Sequence, residues 1–198
     1  MVQNNDFQKW WCNNCPAHID KDEAEEMGRL IEAHYHESST AITEDIVIAI
    51  CSRLIEYEPI QYILGESWFY RRKFEVNRAT LIPRPETEEL CHFVLQEFGN
   101  NAARFLDAGT GSGCIAVTLA AERNAWVGEA LDISAAALNT ANRNARLHGV
   151  ELRLKFTQLD LLKTTAISED FDLIISNPPY VGLDEKEEME KRVLNWEP

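Results

Sequence analysis

Asp107-Ala108-Gly109-Thr110-Gly111-Ser112-Gly113 is the stretch on which the reading of the fold turns. It follows a strand-length segment, Arg104 to Ala108, and opens a helical pattern from about Cys114. Glycines at this spacing let the backbone turn sharply and let a ligand come close to it. The spacing also excludes two ligand classes. A dinucleotide fingerprint needs a glycine where Cys114 stands, and no Lys-Ser or Lys-Thr follows the loop as a P-loop requires. Asp107, an acid just before the turn, repels a phosphate and tolerates a cation.

Outward from the loop, strand and helix alternate, which predicts a parallel sheet with right-handed crossovers. A second strand is expected over Trp126 to Leu131, ending at Asp132. A helix from Ser134 to about His148 follows, with Ser134 as cap and Gly149 as stop. Leu152 to Phe156 and Phe171 to Ile175 are the third and fourth strands. Asp132 is placed to accept hydrogen bonds from ribose hydroxyls. Ligands in such sheets sit beyond the strands' carboxyl ends, where strand order reverses. The loop therefore meets the turn after the fourth strand if the first and fourth strands are neighbours. That turn is Ser176-Asn177-Pro178-Pro179-Tyr180, where two prolines stiffen the chain, Asn177 offers an acceptor and a donor, and Tyr180 offers an aromatic face. Such a turn suits a planar group bearing NH2.

Asn177-Pro178-Pro179-Tyr180 resembles the signature of amino-group methyltransferases that use S-adenosylmethionine. Two further blocks, Glu58-Pro59-Ile60-Gln61-Tyr62-Ile63-Leu64-Gly65 and Leu81-Ile82-Pro83-Arg84-Pro85-Glu86-Thr87-Glu88, precede the glycine loop. In this order the four motifs are similar to those of the HemK/PrmC family, which methylates the glutamine side-chain nitrogen of the Gly-Gly-Gln motif in peptide chain release factors. The resemblance implies a Rossmann-like α/β sheet behind a small helical N-terminal domain (1–60), a β-hairpin linker (61–82) and a cofactor-binding domain (83–198). It implies a cofactor site of Asp107, Gly109, Thr110, Gly111, Ser112, Gly113, Asp132, Asp160, Leu161 and Asn177. Asn177 and Pro178 would accept the N–H bonds of the target amide and Tyr180 would pack on its plane, with Pro179 and Arg84 also on the acceptor side. An amino-methyltransferase of DNA or RNA, flipping a base onto Tyr180, is the competing enzyme reading; an inactive fragment is the third. The family continues beyond the position of Pro198 with further strands and helices. The resemblance thus implies a sheet truncated after its fourth strand, and such a chain is expected to be marginally stable or self-associating, and nearly inactive. The helical region before Glu58 is also shorter than the family's usual one.

The N-terminal region reads as two or three helices. Asp20 and Glu23 form a capping pair for a helix starting near Lys21, and Thr43 caps another that Glu58-Pro59 ends. Trp68 to Val76, with Arg71-Arg72-Lys73 at its centre, reads as a hairpin, and Pro85 opens a helix that Gly99 stops. The basic cluster of Arg71, Arg72, Lys73 and Arg78 is a solvated hairpin or a dock for an acidic or RNA-bound partner. A net charge of −14 argues against direct nucleic-acid binding by the whole surface. The five cysteines lack a disulfide framework's spacing, and Cys12-x-x-Cys15 with His18 has no evident fourth metal ligand, so reduced thiols and no metal are expected. His34 and His36 read as surface or packing residues. No membrane-length apolar run and no leader-like start are seen, which predicts a cytoplasmic protein.

Overall fold

A computed structural model describes residues 7–163, 170–178, 196 and 198. The chain divides into two compact units, Met1–Leu64 and Gly65–Pro198.

The first unit holds four helices: α1 (Phe7–Asn14), α2 (Lys21–Glu37), α3 (Glu44–Ile55) and α4 (Ile60–Leu64). Phe7, Trp11, Ala24, Met27, Ile31, Val47, Ile50 and Leu54 form its core. Trp11 is fully buried and donates its indole N–H to the Ala24 carbonyl at 2.9 Å, so its polar atom is satisfied. Asp20 accepts the Glu23 amide at 2.9 Å and Thr43 accepts that of Ile46 at 3.4 Å, the caps expected for α2 and α3. α3 stops before Glu58-Pro59. Tyr57 takes a left-handed φ of 61°, and the amides of Tyr57 and Glu58 fold back onto Leu54 and Arg53 carbonyls, which closes the helix end. Buried Glu58 then receives a two-pronged bond from Arg53 at 2.6 and 2.7 Å. α1 and α4 carry too few turns for a periodic pattern, and neither was expected as a separate helix.

The second unit opens with a hairpin, β1 (Glu66–Phe69) and β2 (Arg72–Glu75), joined by Tyr70 and Arg71. Both joining residues have positive φ, 48° and 62°, the requirement of a tight two-residue hairpin turn. Phe69 and Phe74 are buried in the core of this same unit, with ring centroids 5.9 Å apart, so the hairpin is part of the second unit's packing. The basic cluster is spent locally. Arg72 reaches Glu122 at 2.6 Å, Lys73 reaches Glu66 at 2.9 Å, and Arg78 lies over the Trp196 ring at 3.9 Å.

The rest alternates as the sequence predicts: α5 (Pro85–Glu97), β3 (Arg104–Ala108), α6 (Cys114–Glu122), β4 (Val127–Asp132), α7 (Ala135–Leu147), β5 (Leu154–Gln158) and β6 (Leu173–Ser176). The four strands β3 to β6 form one parallel sheet in the order β5-β4-β3-β6. The first and last of them are therefore neighbours, the condition under which the glycine loop and the proline turn meet, and strand order reverses between β3 and β6. Two strands start later than their apolar runs. Glu151–Arg153 form a 3-10 turn, because Arg153 turns inward to the carbonyls of Arg123 and Trp126 at 3.0 and 3.2 Å. β6 is preceded by a clamp in which Asp172 bonds both backbone groups of Arg104, at 2.7 and 2.8 Å. Ile175 is buried, whereas Ile174 on the opposite face is 63% exposed. Among the described residues no helix is long and apolar enough to cross a membrane, all five thiols are free, and no metal-ligand cluster occurs.

Candidate active site

The sheet register brings the two motifs together. Ala108 and Ser176 are partners at the carboxyl ends of β3 and β6, and the Ser176 hydroxyl donates to the Ala108 carbonyl at 2.6 Å. Gly109 and Asn177, the next residues on each strand, therefore leave the sheet side by side.

The glycine loop is held from three directions. The amides of Gly109 and Thr110 both donate to the Leu131 carbonyl, at 2.9 and 2.8 Å. Gly111 donates its amide to Asp132 Oδ2 at 2.9 Å, and the other oxygen of Asp132 accepts the Ser134 amide at 2.9 Å. The buried Asn144 of α7 donates to the Ser112 carbonyl at 2.8 Å while bonding both backbone groups of Glu75 in β2, at 2.7 and 2.9 Å. Gly111 (φ 56°) has open space where a Cβ would stand, whereas at Gly113 (φ 81°) a Cβ would lie 2.9 Å from that of Ala141. One glycine thus leaves the loop's face bare, and the other lets α6 pack against α7.

Asp107 sits beneath this loop, fully buried. Its Oδ2 accepts the Thr110 hydroxyl at 2.7 Å and the Ala116 amide at 3.2 Å, and its Oδ1 has no partner. Burial pushes the carboxyl up to about 6; the Thr110 and Ala116 hydrogen bonds oppose the rise and the nearby Asp132 charge adds to it. These bonds make the carboxylate a brace beneath the glycine loop.

On the far side of β4, Leu159 donates its amide to the Asp132 carbonyl at 2.9 Å, which places the β5 turn beside Asp132. Asp160 caps that turn, accepting the Leu162 amide at 3.1 Å and lying 2.9 Å from Lys163. Leu161 is exposed at the turn. Of the residues expected on the acceptor side, Asn177 is half-buried and Pro178 exposed, and Arg84 forms the cap position of α5, its carbonyl accepting the Thr87 amide at 3.0 Å. Pro179, Tyr180 and the acidic run from Asp184 to Glu190 lie outside the described residues.

The family model described as "Methyltransferase small domain" matches residues 87–195, more than half of the chain. The chain belongs to that family. Among methyltransferase small-domain relatives, the release factor glutamine methyltransferase of Nitratidesulfovibrio vulgaris is 52% identical over 141 residues, covering 71% of this chain and 48% of that protein. The Flavobacterium psychrophilum protein of the same name is 48% identical over 151 residues, covering 74% and 52%. The one from Lactococcus lactis is 43% identical over 153 residues, covering 77% and 55%. The chain spans about half the length of these curated relatives.

A bare glycine face, an acid at the end of the next strand and a buried carboxylate with one unpartnered oxygen suit a ligand carrying ribose hydroxyls and positive charge. Two residues that tie the site together were not singled out from sequence. Asn144 shares the buried face of α7 with Ala137, Leu138, Thr140, Ala141 and Ala145, and a polar residue on such a face marks a buried bonding partner. Thr87 read only as part of a helix start, yet its hydroxyl accepts the Asn177 amide N–H at 3.0 Å.

Proposed function

We propose that this chain carries the methyl-transfer site of a protein-glutamine methyltransferase, with S-adenosylmethionine as donor and the Gly-Gly-Gln glutamine of a release factor as acceptor, acting in the cytoplasm. The observation that supports the reading is the Ala108–Ser176 pairing, which sets the glycine loop and the turn carrying Asn177 side by side where strand order reverses. The names of the relatives support the acceptor, and the −14 net charge weighs against nucleic acid.

S-adenosylmethionine supplies an electrophilic methyl group on a sulfonium. The glycine loop gives it a face free of side chains, Asp132 has lone pairs left for ribose hydroxyls, and Asp160 and Leu161 border the base. Asn177 and the Pro178 carbonyl accept the two N–H bonds of the target amide, and Tyr180 packs on its plane. Drawing both N–H groups into hydrogen bonds turns the nitrogen lone pair toward the donor and weakens amide resonance. The rate gain in this scheme is positional. The proton leaves to water after transfer.

Labelled-methyl transfer, with release factor and nucleic acid supplied side by side, tests the reading. Whatever label the chain transfers is expected on the release-factor glutamine alone, and Asn177→Ala is expected to abolish it while leaving donor binding largely intact. Label on nucleic-acid amino groups, or near-normal turnover by Asn177→Ala, overturns the assignment.

A further inference from the structure

Thr87 lies in the first turn of α5, ninety residues before the turn that carries Asn177, and is 5% exposed. α5 is a fixed platform. Cys91, Val94 and Leu95 bury its face in the unit's core, and Glu88, next to Thr87, accepts the Tyr70 amide at 2.8 Å. A threonine in a helix has few χ1 choices, so its hydroxyl is presented at a defined place. Among the described residues, Thr87 is the hydrogen-bond partner of the Asn177 side chain. Asn177 follows the last residue of β6 and precedes two prolines, outside the hydrogen-bonded ladder. The terminal torsion of an asparagine is broad and two-fold, and its oxygen and NH2 occupy near-identical shapes.

We infer that Thr87 is a positioning residue for Asn177, holding the amide nitrogen so that Oδ1 is the atom offered to the acceptor. The inference rests on the acceptor role proposed above for Asn177. With Nδ2 bonded to the Thr87 hydroxyl, Oδ1 is the acceptor the side chain has left to offer. That oxygen welcomes a group that carries N–H, as a glutamine amide does, and repels a carboxylate. Thr87 itself touches neither substrate; it acts through the amide it holds. This gives the Pro83-Arg84-Pro85-Glu86-Thr87-Glu88 block a chemical task beyond starting a helix.

The test compares Thr87→Val, which keeps the shape and deletes the hydroxyl, with Thr87→Ser, which restores it. Two readouts are needed: the 15N–1H2 resonances of the Asn177 side chain, assigned by their loss in Asn177→Asp, and the kinetics of methyl transfer to release factor. Thr87→Val is expected to move the Asn177 resonances and to lower kcat about 10- to 100-fold, with the Kd for S-adenosylmethionine unchanged. Thr87→Ser is expected to return both. Asn177 resonances unmoved in Thr87→Val overturn the inference whatever the activity, and so does an unchanged kcat once the resonances have moved. If the chain with Thr87 in place labels no glutamine, the proposed function fails separately, and the resonances alone then decide whether Thr87 holds Asn177.

Discussion

Asp107→Asn isolates the cost of the carboxylate buried under the glycine loop. The side chain is fully buried, one oxygen accepts two hydrogen bonds and the other accepts none. Its carboxyl ionises near 6 in the fold against an ordinary value of 3.8. The folded chain therefore binds more protons than the unfolded chain between those values, and stability falls as pH rises through that window. At about 1.4 kcal/mol per tenfold change, the loss is about 3 kcal/mol once the pH is above both values. Asparagine keeps an acceptor for Thr110 and Ala116 and removes the charge. Its NH2, left without an acceptor, costs about 1–3 kcal/mol, but equally at every pH. Urea unfolding of both proteins from about pH 4 to pH 7 reads the difference, and the other carboxyl groups, common to both, cancel. Relative to Asp107→Asn, the wild-type protein is expected to lose most of that ~3 kcal/mol across the range. A stability difference that stays flat with pH refutes the reasoning, because it requires Asp107 to ionise as an exposed carboxyl does.

Gly113→Ala adds a methyl 2.9 Å from the Ala141 Cβ at a backbone φ of 81°, and a loss of about 1–3 kcal/mol in urea unfolding is expected. Unchanged stability shows that α6 and α7 do not need this close approach. Asn144→Leu leaves the Glu75 backbone groups and the Ser112 carbonyl without their partner, so the Glu75 amide is expected to exchange its hydrogen faster; an unaltered rate contradicts the bridging role. Asp132→Ala removes the acceptor of the Gly111 amide and the expected ribose partner, and calorimetry with S-adenosylmethionine should show affinity weakened by about 1.5–3 kcal/mol. Equal affinity removes Asp132 from the donor site.

By itself, the sequence determined whatever is encoded within a few residues. Asp20, Thr43 and Ser134 cap their helices because a short side-chain oxygen reaches an amide three positions on. Pro85 and Gly113 mark helix starts, and the apolar runs of β3 and β4 fall within a residue of their strands. The order of glycine loop, Asp132 and Asn177 showed that the loop and the proline turn would meet if β3 and β6 were neighbours; the strand order itself, β5-β4-β3-β6, was decided by the tertiary structure. Tertiary structure decided which polar groups meet. Arg153 and Asp172 delay their strands by bonding backbone groups far away in sequence, and the hydrophobic pattern holds no trace of that. Asp107 became the support of the loop because burial and the Ala116 amide claimed its carboxylate first. Thr87 and Asn177, ninety residues apart, and Asn144 and Glu75, sixty-nine apart, meet only once the sheet has closed. Periodicity reports which face of an element is buried; which hydrogen-bonding groups end up opposite one another on that face depends on the crossing of elements, and that is set by the packed core as a whole.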